Sequence, residues 1–492
     1  MRHTMKFAVC ALLLVTAAVA FADDIPSRPE QLKYPDLKFD VPNAEAMRFE
    51  LADGTPVYAK RDSQFPLVNI SVFFRGGRYL EPAGKAGLAS ITSEVWRTGG
   101  AGDLTAQELD EELDFLAAAL GTNIGEVNGS VSLNVLSKDL DQAMKLFVDV
   151  LTKPRFQEDR FAKAKDDLIQ AMKQRNDDTA DIESREWDRL IYGDDYWLNR
   201  LPTKVSVDGI TSQDARDFVT SLVRSGNIVI AVAGDFEPEA MNATLEKMVA
   251  SLEPLDGKLP PIPQPSHKPE HGVYVINKAD VNQGRVSIGQ LGYREGDPDE
   301  FPLMVGSDIL GGYGFTARMM KTIRTDEGLA YGAYATFDFP VTMPGTFRAF
   351  YQSKSSTCAF AAEIFFKLLG DIRTDGVTGE ELKISKASFV ETFPRGFASA
   401  NQVVGRFARD EILGRPHAYW YDYRDNVEAV TADEVEKAMK TKLDPNAMIV
   451  LVVGNIEEIM KGHPDHAAKL TDFGPIHELP LRDPLTLEPI TE

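Results

Sequence analysis

Histidine and cysteine, two common zinc ligands, are scarce in this chain. The cysteines are Cys10 and Cys358, and none of the seven histidines lies between His3 and His267. Because Cys10 falls in an N-terminal apolar segment, only Cys358 remains in the mature chain and no internal disulfide can form. Cys358 has no neighbouring histidine to activate it, so we interpret it as a small buried apolar residue. The first half of the chain also lacks the imidazoles that a zinc site requires.

Long apolar runs are absent after the N-terminus. Arg2 and Lys6 precede an apolar run from Phe7 to Ala20, and Ala20-Phe21-Ala22 gives the small-residue pattern of a cleavage site. We predict a signal peptide over residues 1–22, cleaved after Ala22, and an exported protein that is periplasmic in a Gram-negative source. No later segment approaches the roughly 18 apolar residues of a membrane-spanning helix, so no membrane span is predicted.

Positive charge is also in deficit. The chain has 53 basic and 75 acidic side chains, a net charge of −22. A surface of this sign repels phosphate backbones and anionic lipid, which argues against nucleic acid and membrane surfaces as partners.

Two halves of the chain carry matching patterns. Closely spaced prolines mark residues 257–269 as a linker, and the helix start at Thr211 and the apolar run from Ile228 recur about 220 residues later at Thr431 and Ile449. In both copies an acid follows the threonine by three residues, as in a capping box. We predict two copies of one α+β domain, at 40–256 and 270–457, followed by a tail at 458–492.

Periodicity predicts local structure inside the first copy. Alternation from Val68 to Phe74 favours a strand, and a second alternating segment includes Asn128, Gly129, Ser130 and Val131. Thr105 and Glu108 form a capping-box pattern before leucines at helical spacing. We expect that helix to continue through Leu120 and to end at Gly121.

Several segments resemble one known family. Gly76–Glu81, Gly87–Ala89 and Gly99 in the first half, and Ile309–Arg318 and Ile323–Gly332 in the second, are similar to signatures of the insulinase/pitrilysin family of zinc peptidases. The resemblance covers nearly all of the mature chain. It implies two homologous domains of mixed sheet packed with helices, forming half of a clamshell, and a zinc-bound water that hydrolyses peptides.

The resemblance also shows which residues have been replaced. The family's H-x-x-E-H motif falls on Ser90, Ser93 and Glu94, and its distal carboxylate falls at Gln170 or Ala171. Two imidazoles, the general base and the distal ligand are therefore missing. We expect no metal in this chain. His463 and His466 have metal-like spacing, but Pro464 interrupts any helix there and we favour a solvated loop. His417 is predicted to lie in a packed aromatic corner.

Arg324 and Tyr331 are the candidate catalytic residues that remain. In single-chain members an arginine and a tyrosine at this spacing orient the peptide and stabilise the oxyanion, although a purely structural role for both is the alternative. The resemblance places peptide binding on an edge strand, which we assign to Asn128, Gly129, Ser130 and Val131.

Together these features predict a zinc-free subunit of a heterodimeric peptidase. Such a subunit binds peptide and supplies Arg324 and Tyr331 in trans to a zinc-bearing partner of the same family. One alternative is a structural or peptide-holding pseudopeptidase, for which a homodimer is one arrangement, resembling core subunits of respiratory complexes. Another is a hydrolase using Ser90 or Ser93, which have no imidazole nearby to activate them.

Overall fold

The computed structural model describes Arg28 and residues 38–490. Two compact units divide the chain, residues 1–40 and 41–492, and all the helices and strands given below belong to the second. The predicted signal peptide over residues 1–22 lies outside the described residues. In the described part of the chain, no helix combines the length and the apolar character needed to cross a membrane.

Two six-stranded mixed sheets form the framework. The order in the first is β1-β2-β6-β3-β5-β4 and in the second β12-β7-β11-β8-β10-β9. The strands of the first sheet are β1 (Arg48–Glu50), β2 (Pro56–Arg61), β3 (Leu67–Arg75), β4 (Ala119–Ile124), β5 (Asn128–Leu136) and β6 (Ile228–Gly234). Those of the second are β7 (Gly272–Asn277), β8 (Gln283–Leu291), β9 (Ala330–Phe337), β10 (Thr346–Lys354), β11 (Ile449–Gly454) and β12 (Ile476–Leu479).

The two sheets correspond strand by strand except at one edge. In each, a parallel pair (β2 with β6, β7 with β11) is followed by three antiparallel neighbours. This correspondence supports the two-copy interpretation. The predicted boundary at residue 457 is wrong, because β12 (Ile476–Leu479), which lies in the predicted tail, pairs in parallel with β7. A short strand after a loop gave no periodic signal long enough to detect.

Helices cover the sheets and confirm the α+β prediction. In the first half they are α1 (Leu88–Thr98), α2 (Ala106–Phe115), α3 (Leu140–Thr152), α4 (Glu158–Lys173), α5 (Thr179–Tyr192), α6 (Lys204–Asp208), α7 (Ser212–Leu222) and α8 (Pro238–Val249). In the second half they are α9 (Glu300–Gly311), α10 (Cys358–Thr374), α11 (Gly379–Thr392), α12 (Ala400–Leu413), α13 (Ala418–Ala429), α14 (Ala432–Lys442) and α15 (Ile456–Lys461).

Local capping chemistry sets several of these helix starts. The predicted capping boxes at Thr105, Thr211 and Thr431 are all present, each with its threonine hydroxyl accepting from the backbone three residues on. The first helix, however, ends at Phe115 rather than at Gly121. Ala117 has a positive φ of 46° that breaks the helix, and Leu120 and Gly121 belong to strand β4. The leucines keep helical spacing through this turn, and a turn without glycine or proline leaves no mark in the sequence.

Each half contributes one helix to the other half's sheet. Helix α5 packs on β8 and β11 of the second sheet, whereas α12 packs on β6, β2 and β3 of the first. The two helices have equal length and lie 221 positions apart in the chain. Strands β6 and β11 are therefore buried on both faces, which explains their uninterrupted apolar runs.

Candidate functional site

Helix α1 carries the three positions of the replaced zinc motif. Its buried face is apolar except for Thr92, while Ser90 and Glu94 are exposed and Ser93 is half-buried. The helix start is held by the Glu81 carboxylate, which accepts from the Gly87 and Ala89 amides at 3.1 and 2.7 Å. Burial raises the pKa of this carboxyl. A buried acceptor at the N-terminus fixes where the helix, and hence the motif face, begins.

The motif face borders a cavity of about 550 Å³ against strand β4. There Ser93 Oγ accepts from the Ile124 amide at 3.2 Å, and the Ser93 carbonyl accepts from Thr122 Oγ1 at 3.1 Å. Ser93 therefore ties α1 to the sheet edge. A hydroxyl used in this way, an exposed serine and a lone carboxylate do not fit zinc, which takes imidazole, thiolate and carboxylate ligands.

The distal position adds nothing to this cavity. Gln170 and Ala171 lie exposed on helix α4, and neither lines it. Across Arg28 and residues 38–490, no three histidine, cysteine or acidic side chains are close enough to hold a metal ion.

The predicted peptide edge is wrong in one respect. Asn128, Gly129, Ser130 and Val131 begin strand β5, which is paired with β3 on one side and β4 on the other. The edge strand is β4, one position further out. Alternation shows that a strand has one buried face, but an edge strand and an inner strand alternate alike. Strand addition is thus closed to the four predicted residues.

Arg324 lies on a rare backbone feature. Met320–Asp326 is a π-helix. At its end the Glu327 amide donates to the Thr322 carbonyl, five residues earlier, and the Leu329 amide donates to the Ile323 carbonyl. Such turns are uncommon and occur often at functional sites. Gly328 follows with a φ of +63°, a conformation that favours glycine, and directs the chain into strand β9. The segment between Arg324 and Tyr331 is therefore a tight turn of defined geometry.

This turn brings Arg324 and Tyr331 together. The Arg324 guanidinium carbon lies 4.8 Å from the centre of the Tyr331 ring and 4.9 Å from that of Phe315, so aromatic rings flank it. Tyr331 is nevertheless 87% exposed. It lies at an irregularity of β9, where the register with β10 shifts between Tyr351 and Ser353. Irregularities of this kind re-aim side chains at sheet edges.

A second cavity, of about 570 Å³, opens beside this pair. It shares no lining residue with the cavity at the replaced motif. Its lining comes from the end of the π-turn and from three adjacent strands. The lining residues are Gln283, Arg285, Arg324, Gly328, Leu329, Ala330, Tyr331, Gly332, Tyr334, Phe350, Tyr351, Gln352 and Lys354.

Sequence reasoning missed the aromatic surroundings of this site. Tyr313 and Phe315 are 72% and 71% exposed, and Tyr313 packs on Tyr334 with ring centres 5.0 Å apart. Their placement among Gly311, Gly312 and Gly314 was a usable signal, because large aromatics in a glycine-rich turn have little core to enter. No comparable feature of the sequence indicates that Lys354 lies at the far side of the cavity.

The remaining candidates are structural. The imidazole of His417 lies 2.9 Å from the Tyr58 hydroxyl and packs edge-on against Phe407, which confirms the predicted aromatic corner. His466 stacks on Phe360 at 3.6 Å between ring centres, with His463 beside it. Cys358 is fully buried, as predicted, and burial raises the pKa of its thiol to about 11.

Fold and site together define a peptidase-type scaffold whose motif helix carries no zinc ligand set. The profile of Insulinase (Peptidase family M16) matches residues 57–186, and that of the Peptidase M16 inactive domain matches residues 209–389. This chain belongs to the insulinase family of peptidases, family M16.

Relatives and solved structures cover most of the chain at low identity. A Helicobacter pylori protein called non-peptidase homolog YmxG is 23% identical over 81% of this chain and 92% of its own. The M16 inactive domain from Pseudomonas fluorescens has a TM-score of 0.74 and 24% identity, and the match covers 83% of this chain and 97% of that chain. The periplasmic protease PqqL from Escherichia coli has a TM-score of 0.72 and 14% identity, covering 90% of this chain but 50% of its own.

Proposed function

We propose that this chain is the zinc-free subunit of an exported two-chain peptidase, with Arg324 and Tyr331 acting in the site of a zinc-bearing partner. The observation that carries the proposal is a pair of preorganised but unused donors. Within residues 38–490, the Tyr331 hydroxyl has no hydrogen-bond partner, and the only polar contact of Arg324 is the Met320 sulfur at 4.0 Å.

The chemistry of the pair suits a peptide carbonyl. When an amide is attacked, its oxygen becomes an anion, and a guanidinium and a phenol can both donate to it. Stacking on two rings limits the positions that the Arg324 guanidinium can take, so its side chain loses little conformational entropy when the peptide binds. A donor of this type contributes about 10²–10³-fold to the rate of amide hydrolysis.

Two observations support a partner of the same family, and a third supports export. The motif helix of this chain does not fit zinc, so a complete site needs ligands from elsewhere. This chain covers 50% of the PqqL chain, so a second chain of similar size would correspond to the other half of PqqL. PqqL is itself described as periplasmic, in agreement with the predicted signal peptide over residues 1–22.

A second candidate function is a homodimeric pseudopeptidase that holds peptides without cleaving them. The name of the Helicobacter pylori relative, a non-peptidase homolog, favours it. The two proposals differ in what co-purifies with the chain. A second copy alone supports the pseudopeptidase, whereas a different M16 chain with intact H-x-x-E-H supports the two-chain enzyme.

The test is purification of the tagged mature chain from its source cell, followed by zinc analysis of each subunit and a peptide-cleavage assay. The two-chain enzyme predicts zinc in the partner alone and cleavage by the complex. In that complex Arg324→Ala should lower kcat/KM about 10²–10³-fold, with an unchanged melting temperature. Lys321→Ala, on the same turn but facing a different cavity, is the matched control. Equal rates for wild type and Arg324→Ala would end the proposal.

A further inference from the structure

The cavity beside Arg324 and Tyr331 has an unusual charge for this protein. The chain as a whole has a net charge of −22. Yet among residues 38–490 the charged side chains lining this cavity are Arg285, Arg324 and Lys354, and no carboxylate of that range lines it. A basic cavity in an acidic protein is a local feature that the overall composition does not explain.

Only part of this positive charge is neutralised from within the chain. The Arg285 guanidinium donates to the buried Glu183 carboxylate at 2.7 Å, beneath the cavity. For Arg324 and Lys354 no acidic side chain within residues 38–490 lies at salt-bridge distance. Lys354 ends strand β10 and is exposed. The cavity therefore presents two cations that are available to a ligand.

The cavity at the replaced motif gives an internal comparison. It contains Arg78 and Arg97, but Arg78 is 3.3 Å from Glu126 and Arg97 is 2.6 Å from Asp110. Glu94 adds an exposed carboxylate to the same lining. The arginines of that cavity are thus paired, and an anionic ligand gains less there than beside Lys354.

We propose that the cavity beside Arg324 selects peptides with an acidic side chain, which binds Lys354 while the peptide backbone engages Arg324 and Tyr331. This inference rests on the proposed function, because it assumes that the pair receives a peptide carbonyl. A peptide cleaved at that carbonyl continues on both sides of it. We assign the carboxylate that reaches Lys354 to an aspartate or glutamate within the peptide, and the test below separates it from a C-terminal carboxylate.

Chemistry favours this pairing over a neutral side chain. An ammonium can donate a hydrogen bond to a carboxylate or to an amide oxygen, but only the carboxylate adds the attraction between two opposite charges. Gln283 and Gln352, the amide residues of the lining, can accept or donate toward the same ligand without repelling it. Replacing a carboxylate by an amide in the peptide keeps its shape and removes the charge, which isolates the proposed contribution.

The test uses two pools of fluorescein-labelled nine-residue peptides with acetylated N-termini and amidated C-termini. The central residue is glutamate in one pool and glutamine in the other, and the flanks are equimolar Ala, Ser, Val, Leu and Tyr. Binding to the mature chain is measured by fluorescence anisotropy. We expect the glutamate pool to bind about tenfold more tightly. Lys354→Met should reduce this preference to about one, and Lys321→Met should keep it.

The other outcomes overturn either this inference or the proposed function. If both pools bind wild type equally, or if Lys354→Met keeps the full preference, the acidic-side-chain inference is wrong while peptide binding stands. If a glutamine pool with a free C-terminus binds as tightly as the glutamate pool, a terminal carboxylate is the ligand and the inference is again wrong. If no pool binds, peptide binding itself fails and the proposed function falls with it.

Discussion

Glu183 is the residue whose replacement most directly tests the helix exchange between the two halves. It lies on α5, a helix of the first half, and is 1% exposed. Its carboxylate accepts from Arg285 at 2.7 Å and from the Ser287 hydroxyl at 2.5 Å, and lies 3.4 Å from Arg348. All three partners belong to the second sheet. The carboxylate thus joins the halves through a buried ionic cluster.

The expected cost of Glu183→Gln follows from the charges left behind. Breaking a buried ion pair by removing one member costs about 3–5 kcal/mol, since the other charge stays desolvated. The Arg285 and Arg348 side chains are 25% and 23% exposed, so water compensates part of the loss. We therefore expect the lower end, a decrease of about 3 kcal/mol in the free energy of unfolding.

Urea unfolding of the mature chain, followed by circular dichroism and tryptophan fluorescence together, measures this quantity. Asp167→Asn is the control, because Asp167 pairs with Lys163 on the exposed face of α4 and should cost less than about 0.5 kcal/mol. In a double variant with Arg285→Met, part of the loss should return, since one stranded cation is gone. A cost below about 1 kcal/mol for Glu183→Gln would refute the reasoning from burial.

Three further outcomes concern single side chains. Trp187 is 2% exposed and lies beneath Arg348. Replacing it with alanine should lower the free energy of unfolding by about 3–5 kcal/mol, measured in the same urea assay. The hydrogen bond from Arg318 lowers the pKa of Glu381 from the ordinary 4.5 to about 2. The stability that this pair adds is therefore complete above pH 4.5 and is lost as the pH falls toward 2. Glu381→Gln should remove this part of the dependence of stability on pH. Burial raises the pKa of Cys358 from 9.0 to about 11, so stability should fall as the pH rises from 9 to 11, and iodoacetamide at pH 8 should modify the thiol only in urea.

Much of the fold was predictable because its signals are local. The apolar runs at Ile228 and Ile449 gave the central strands, and the threonine–acid pairs gave helix starts. Each of these features depends on a few neighbouring residues whose chemistry is fixed by the backbone they occupy. The same holds for the motif positions on α1, which one helix presents together.

The features that escaped prediction depend on which elements become neighbours. Strand β5 alternates as an edge strand does, but β4 covers it because the chain turns back at Ala117 instead of extending the helix. The basic cavity forms because Arg324 and Lys354, thirty positions apart in the chain, line the same cavity. The exchange of α5 and α12 depends on packing across the linker. No window of sequence contains both partners of such a contact.

The replaced motif positions and the Arg324–Tyr331 pair differ in what they do for the fold. Ser93, at a replaced motif position, holds the edge of the first sheet through Ile124, so its side chain now has a structural use. Tyr331 shows no such use: it is 87% exposed, and among the described residues its ring stacks on Arg324 alone. A tyrosine kept for stability would bury its ring or bond its hydroxyl. An exposed pair without a structural use is what the proposed function requires of residues that contact a peptide and a partner outside this chain.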